Sequence, residues 1–389
     1  MKPTAAHKVP PLGAARTAGA ILPSLPAVRI DMFLRLMPVL ILLATTAPLQ
    51  AAQPVYRAFQ DWVVACDNLA HCQMQAATDH NSLFLTLRRE AGPTGALELR
   101  LEAGREIRPG ALRLDGQPLR LDASGWQHSR GDGYAELVTD DPVTARAFLQ
   151  AIRNGDRLHV GEDEQAPVLS LAGISAALLL LDEAQGRLDN VTALLRTGNE
   201  PASAVPAAAA PPRLHPAPPS PPAIEPVLAK RLVAAARHHH ADQLDARECL
   251  VEPEAAFDTV VPLGQQEALV MLECWRGAYQ ASFLLFRTPL QAPEHSRRIS
   301  LPLPLALGEP GRERDRVDEF IHPGYAPVRG MLSHFAKGRG LADCGRSASW
   351  VFDGDDFQLQ SLHYLGRCSG GHPGDWPRLW VTQDTPREP

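Results

Sequence analysis

The side chains able to do chemistry here are six cysteines, a few carboxylate clusters, one run of histidines and one glycine-rich basic loop. Cys66, Cys72, Cys249, Cys274, Cys344 and Cys368 form an even set without the Cys-x-x-Cys spacing that holds zinc. They predict three disulfides made in an oxidising compartment, and no metal or cofactor. Two cysteines precede a Pro/Ala-rich stretch and four follow it, so each half can close its own bridges. Neighbour pairing gives Cys66 with Cys72, Cys249 with Cys274 and Cys344 with Cys368, each contributing about 2 to 4 kcal/mol. The arrangement of the last four stays open at this point.

Asp182 with Glu183, and Asp353, Asp355 and Asp356, would offer a hydrolase its general acid and base. The second cluster also suits a hard cation, but it lacks the alternating ligands and distal glutamate of a calcium loop. Asp353-Gly354 between two apolar runs is first a hairpin turn. His238, His239 and His240 point in three directions, so at most His238 and Asp242 could share a metal, and a solvated helix end is the expectation. Ser175 in Gly173-Ile174-Ser175-Ala176-Ala177 lacks the closing glycine of a nucleophile elbow and reads as a small packed residue. No His-Glu-x-x-His, Gly-x-Ser-x-Gly, Ser-x-x-Lys or phosphate loop occurs. The loop from Lys337 to Gly345 is the stronger candidate: its glycines free the backbone, and Arg339 can pair with Asp343 beside Cys344. The plainer reading is a disulfide-anchored turn whose arginine is satisfied; beside it, Lys337, Arg339 and Asp343, with Trp350 and Asp353 beyond them, form the candidate ligand or partner site.

The elements that must position these groups divide at Pro201–Pro226, where ten prolines and eight alanines leave no means of building a helix or a sheet. Such a stretch reads as an extended linker able to hold two bodies up to roughly 80 Å apart. Residues 1–31 read as an extension ahead of the true start. Residues 32–51 read as a signal peptide, a short positive flank before an apolar run from Leu36 to Ala47 that Pro38 and Pro48 make too broken to stay as a membrane span. Residues 52–200 predict antiparallel, half-buried strands at 59–66, 83–88 and 97–101 and a hairpin at Asp115-Gly116. Helices follow: one capped by Asp141, one buried from Gly173 to Gly186, and one from Asp189 to Gly198. Residues 227–389 predict a helix, then strands at 269–275, 279–286, 331–337, 350–352, 357–365 and 379–382. Pro302 and Pro304 demote 299–305 to an edge. The fold class is α+β, predominantly antiparallel β, as two disulfide-tied domains. A net charge of −6 with no basic stripe, and 6% aromatic residues, exclude nucleic acid as a partner.

Trp62-Val63-Val64-Ala65-Cys66-Asp67-Asn68 with Cys72, the stretch from Leu171 to Arg187, Cys274 to Tyr279, and Lys337 to Gly345 followed by Trp350, Asp353-Gly354 and Phe357 occur in that order. Together they resemble the secreted bacterial family catalogued as domain of unknown function eleven seventy-six, over nearly the whole mature chain. Gln280 stands where that family has asparagine, and Ala342 where it has a further glycine. The first half also resembles the invasion-associated locus B family through its Trp-x-x-x-Cys opening and Gly173–Ala177, though only Cys66 and Cys72 are present to match that family's bridges. The first resemblance implies secretion and the two-part layout, and no reaction. The expected function is a non-catalytic periplasmic or secreted binding module of the cell envelope, with an envelope protein or glycan as partner. The alternative is a periplasmic hydrolase of envelope polymer acting through paired carboxylates.

Overall fold

Leucines alternating with polar residues build the first half. Strands β1 (Val55–Phe59), β2 (Trp62–Cys66), β3 (Cys72–Ala76), β4 (Leu83–Arg89) and β5 (Leu97–Ala103) are followed by the hairpin β6 (Leu112–Leu114) and β7 (Gln117–Pro118). Next come β8 (Gln127–Gly131), β9 (Tyr134–Thr139), helix α1 (Pro142–Ile152), β10 (Arg157–Val160), β11 (Val168–Ser170) and helix α2 (Ile174–Ala184). These come from a computed structural model that describes residues 53–383 apart from 79–80, 132, 219–222, 253–254 and 308–314. The extension at 1–31 and the signal peptide at 32–51 lie outside the described residues.

The strands form a seven-stranded antiparallel sheet, β1-β2-β3-β4-β5-β9-β8, and a four-stranded one, β11-β10-β6-β7. Leu85, Leu87, Leu99 and Leu101 turn inward against Phe148 and Leu149 of α1 and Leu178 and Leu181 of α2. The Asp141 carboxylate accepts the amides of Val143 and Thr144, at 3.3 and 2.9 Å, where an N-cap should. The predicted third helix from Asp189 does not form. Buried Asp182 accepts the amides of Leu194 and Leu195, at 2.9 and 3.1 Å, and Asn190 that of Thr192 at 2.9 Å. The stretch becomes a tight loop closed by a bridge between Asn190 and Glu200.

The second half opens with α3 (Pro226–His239) and α4 (Ala241–Ala246), then β12 (Thr259–Leu263), β13 (Glu267–Arg276), β14 (Ala281–Pro289) and β15 (Arg297–Arg298). Four short strands follow: β16 (Leu301–Pro302), β17 (Arg316–Val317), β18 (Phe320–Ile321) and β19 (Gly324–Ala326). The chain ends in β20 (Met331–Lys337), β21 (Gly345–Phe352), β22 (Phe357–Leu365) and β23 (Arg378–Val381). The sheet β12-β13-β14-β15 and the sheet β19-β20-β21-β22-β23 are both antiparallel meanders. On one face of the first, Leu232 and Ala236 of α3 pack with Val270, Leu272, Leu284 and Phe286. On the other, Leu269 and Leu285 join Leu332, Trp350 and Leu362. His240 corrects the solvated helix end: it is buried and stacked on Phe286 with ring centroids 4.3 Å apart, while His238 and His239 are exposed.

All three bridges form as neighbour pairs, Cys66–Cys72, Cys249–Cys274 and Cys344–Cys368. The two halves do not stand apart, and the described residues fall in one compact unit. Strand β2 was expected to be half-buried and is buried on both faces, because Val63 and Ala65 lie under residues of the second half. Asp67 accepts Arg378 Nε at 2.7 Å. The Asn68 side chain donates to Val381 O at 2.9 Å and accepts Val381 N at 2.8 Å, imitating a strand neighbour at the edge of β23. The Pro/Ala stretch runs along this body instead of spanning a gap. Val205 and Ala217 are buried, and Pro212 O accepts the Gln383 amide at 2.8 Å. No helix among the described residues is long and apolar enough to cross a membrane.

Asn68→Ala removes both bonds to Val381 and leaves a part-buried strand edge unpaired, so it should lower unfolding stability by about 1–3 kcal/mol. Equilibrium denaturation checks this, and a change below about 0.3 kcal/mol would mean the turn does not clasp the second half.

Candidate functional site

The loop from Lys337 to Gly345 joins β20 to β21, whose pairing ends at Lys337 opposite Gly345. Gly338 N donates to Cys344 O at 2.8 Å and Ala342 N to Arg339 O at 3.0 Å, folding the loop onto itself. Ala342, the departure from the family pattern, sits at φ 55°, in the left-handed region where glycine costs least and an L side chain is strained. Arg339 grips buried Asp343 with two bonds of 2.8 and 2.6 Å, and Gly370 N adds a third at 2.6 Å. The Arg339 hydrogen bonds, more than any other cause, bring the Asp343 carboxyl down to about 2. The predicted pair therefore exists, and its chemistry is used up inside the protein.

Across from this loop stands the tip of the β13–β14 hairpin. The Gln280 amide pairs with the backbone of Lys337, donating to its carbonyl at 3.1 Å and accepting its N–H at 2.6 Å. Lys337 Nζ lies 5.9 Å from the centre of the Tyr279 ring. Trp275 and Tyr279 are each 47% exposed and Leu341 is 65% exposed. Leu250, whose amide bonds Cys274 O at 2.9 Å, and Phe257, under the Arg276 guanidinium at 4.0 Å, add two more exposed apolar side chains. Among the described residues, five of the ten large exposed hydrophobic side chains thus lie on this hairpin, on the segments bonded to its end, or on the loop beside it. The sequence places Trp275 and Tyr279 at strand ends and within a family motif, Cys274 to Tyr279, without marking them as a site; an aromatic pair flanking Arg276-Gly277-Ala278 is the available signal.

The other predicted site residues do not join them. Trp350 is buried in the second core, edge-on to Phe320 with centroids 5.9 Å apart. Asp353 lies beyond the opposite end of β21, about 26 Å from Gly345 along eight residues of strand. There it accepts the amides of Asp355 and Asp356 at 2.9 and 2.8 Å, closing the turn that the Asp-Gly pair foretells. Ser175 donates to Arg153 O at 2.8 Å, tying α2 to the end of α1.

The buried carboxylates share one pattern. Asp67, Asp182, Glu273 and Asp343 are each bound by an arginine and by at least one backbone amide: Arg378, Arg89, Arg276 and Arg339 respectively. Asp182 and Glu183 also face apart, the first buried and the second exposed. Among the described residues, ligand atoms close enough for a metal occur only at Asp343, Cys344 and Cys368. There the two sulfurs are bonded to each other and the carboxylate is filled.

Asp343→Asn should cost about 1.5–3 kcal/mol at neutral pH, the worth of a charge-assisted bond. The folded carboxyl titrates at about 2, below its ordinary value of 3.8, so its stabilisation is present above that ordinary value and fades as pH falls through about 2. In acid titrations followed by circular dichroism, the gap between wild type and Asp343→Asn should therefore close between pH 4 and 2. A gap constant over that window would contradict the ion pair.

The family model described as Protein of unknown function (DUF1176) matches residues 56–383. A curated relative, Uncharacterized protein YpfG of Escherichia coli (strain K12), is 34% identical over 341 residues, covering 85% of this chain and 94% of that protein. No solved structure matches. The cysteine turn, the hairpin tip and the glycine-rich loop thus sit inside the matched residues 56–383, and the chain belongs to the DUF1176 family.

Proposed function

We propose that this is a non-catalytic binding module of the cell envelope, exported to the periplasm or beyond. The observation that carries the reading is the exposed cluster of Trp275, Tyr279, Leu341, Leu250 and Phe257 on elements anchored by Cys249–Cys274 and Cys344–Cys368. Rigid aromatic side chains beside Arg276 and Lys337 are the residue types that dominate binding energy at interfaces. An apolar concentration of this kind is costly to leave in water unless something covers it. Pairing of all six cysteines supports an oxidising compartment. On this reading the two halves, 52–200 and 227–389, are the units of the chain, with 201–226 as the strap between them. The likeness to invasion-associated locus B rests on Trp62, Cys66 and the segment after Gly173, and adds no ligand.

The hydrolase alternative needs a carboxyl free to exchange a proton, and the four buried acids among the described residues are each held by an arginine and by amides. The partner expected is an envelope protein or glycan.

Trp275→Ala with Tyr279→Ala should leave far-ultraviolet circular dichroism and the three bridges unchanged. Immobilised mature protein should retain a protein or glycan from envelope extract that the double variant retains about 100-fold less, two hot-spot residues at about 1.4 kcal/mol each. Equal retention by the two would sink the assignment of binding to this tip.

A further inference from the structure

Between the halves, beside the Asp67–Asn68 turn and away from the hairpin tip, lies a cleft of about 400 Å³. That is a volume typical of small-molecule sites. His71, Arg88, Asp375, His363 and Arg378 line it together with Asp67. An inventory of hydrogen-bonding capacity decides what it can take.

The acceptors are largely spent. Asp67 receives the amides of Leu69 and His71 at 2.8 and 3.0 Å and Arg378 Nε at 2.7 Å. Asp375 receives Arg88 at 2.6 Å. Glu90, also in the lining, is exposed. His71 Nδ1 accepts the Ala91 amide at 3.2 Å, so the proton of the neutral ring is on Nε2. Donors are left over. Arg378 commits only its Nε, and neither Nη group has a hydrogen-bond partner among the described residues. His71 Nε2–H has none either. Burial first, then the Arg378 charge, pushes the His363 imidazole below its ordinary value. With Asp67 and Asp375 already bound by arginines, the spare donors of Arg378 and His71 favour a ligand that brings acceptors and negative charge.

We propose that this cleft is an oxyanion site that takes the carboxylate or phosphate group of a small ligand on the Arg378 Nη pair, with a further bond from His71 Nε2. The site draws on both halves, His71 from the first and Arg378 from the second. It is independent of the aromatic tip, so neither assignment falls with the other.

The test is isothermal titration of the disulfide-bonded mature protein with inorganic phosphate and, separately, with citrate, against chloride at matched ionic strength. Saturable binding of one or both with Kd below about 1 mM is expected, and which anion binds separates the two sources of the charge. Arg378→Lys keeps a cation for Asp67 but loses the fork, and should weaken binding about tenfold or more. His71→Asn keeps an acceptor for Ala91 while removing Nε2, and should weaken it about three- to tenfold in a fold that Arg378 still anchors. Arg100→Gln, on β5 outside the lining, should leave the affinity unchanged. No saturable heat from either anion up to about 10 mM would overturn the proposal. So would wild-type affinity in both His71→Asn and Arg378→Lys.

Discussion

One turn of seven residues, Cys66 to Cys72, is where the structure is joined. Its bridge closes β2 against β3, Asp67 satisfies two of its own amides and reaches Arg378, and Asn68 completes the edge of β23. From the opposite side Gln185, at the end of α2, donates to Ala70 O at 2.9 Å and to Arg89 O at 3.0 Å. The first half's helix, its sheet and the second half's last strand all terminate their polar groups on this one segment. A turn with so few degrees of freedom and so many obligations can adopt only one arrangement. It fixes the relation of the halves more firmly than apolar contact, which tolerates sliding.

The charged pairs serve the same end. Arg89–Asp182, Arg276–Glu273, Arg339–Asp343 and Arg378–Asp67 each remove a carboxylate from water, and the Coulomb gain of such pairs does little more than offset the desolvation. What they add is position, since an unpaired partner left buried would be costly. Asp182 holds the 189–200 loop, Glu273 holds the segment at Phe257 by its amide, Asp343 holds Gly370, and Asp67 holds β23. Each acid fastens irregular backbone to a neighbouring element or loop: Asp182 from helix α2, Glu273 from strand β13, Asp343 between two loops, and Asp67 from its turn to β23.

Local chemistry was legible in the sequence. The Asp141 cap, the Asp115-Gly116 and Asp353-Gly354 turns, the strands at 331–337 and 357–365, and three neighbour disulfides follow from residues a few positions apart. The Arg339–Asp343 pair was legible for the same reason, being four residues in span. What could not be read depends on partners far along the chain. Strand β2 has the alternation of a half-exposed strand, and only the arrival of the second half buries Val63 and Ala65. The 189–198 segment has helical punctuation, but a carboxylate on α2 takes its amides first. The Pro/Ala stretch has no pattern that announces burial, yet Ala217 N finds Phe352 O at 2.9 Å. Trp350 and Asp353 were grouped with the glycine-rich loop by proximity in sequence, which a β-strand converts into distance.

The glycine-rich loop stands between the two surfaces that remain unfilled. Outward it carries exposed Leu341, next to Gly340, which lies against the Tyr279 ring. Inward, Ala342 O accepts Gly374 N at 3.0 Å and Trp376 Nε1 at 3.1 Å, supporting the Gly374–Trp376 wall of the cleft. Adjacency alone does not couple two sites, because coupling requires an element with two arrangements that each ligand favours differently. This loop has a disulfide at Cys344, a buried ion pair at Asp343 and a left-handed residue at Ala342, all of which restrict it to one arrangement. Its physical role is to hold the two surfaces at a fixed spacing. On the proposed reading, a scaffold held to one arrangement would lose little entropy on binding, and shape and donor geometry set in advance would carry the selectivity.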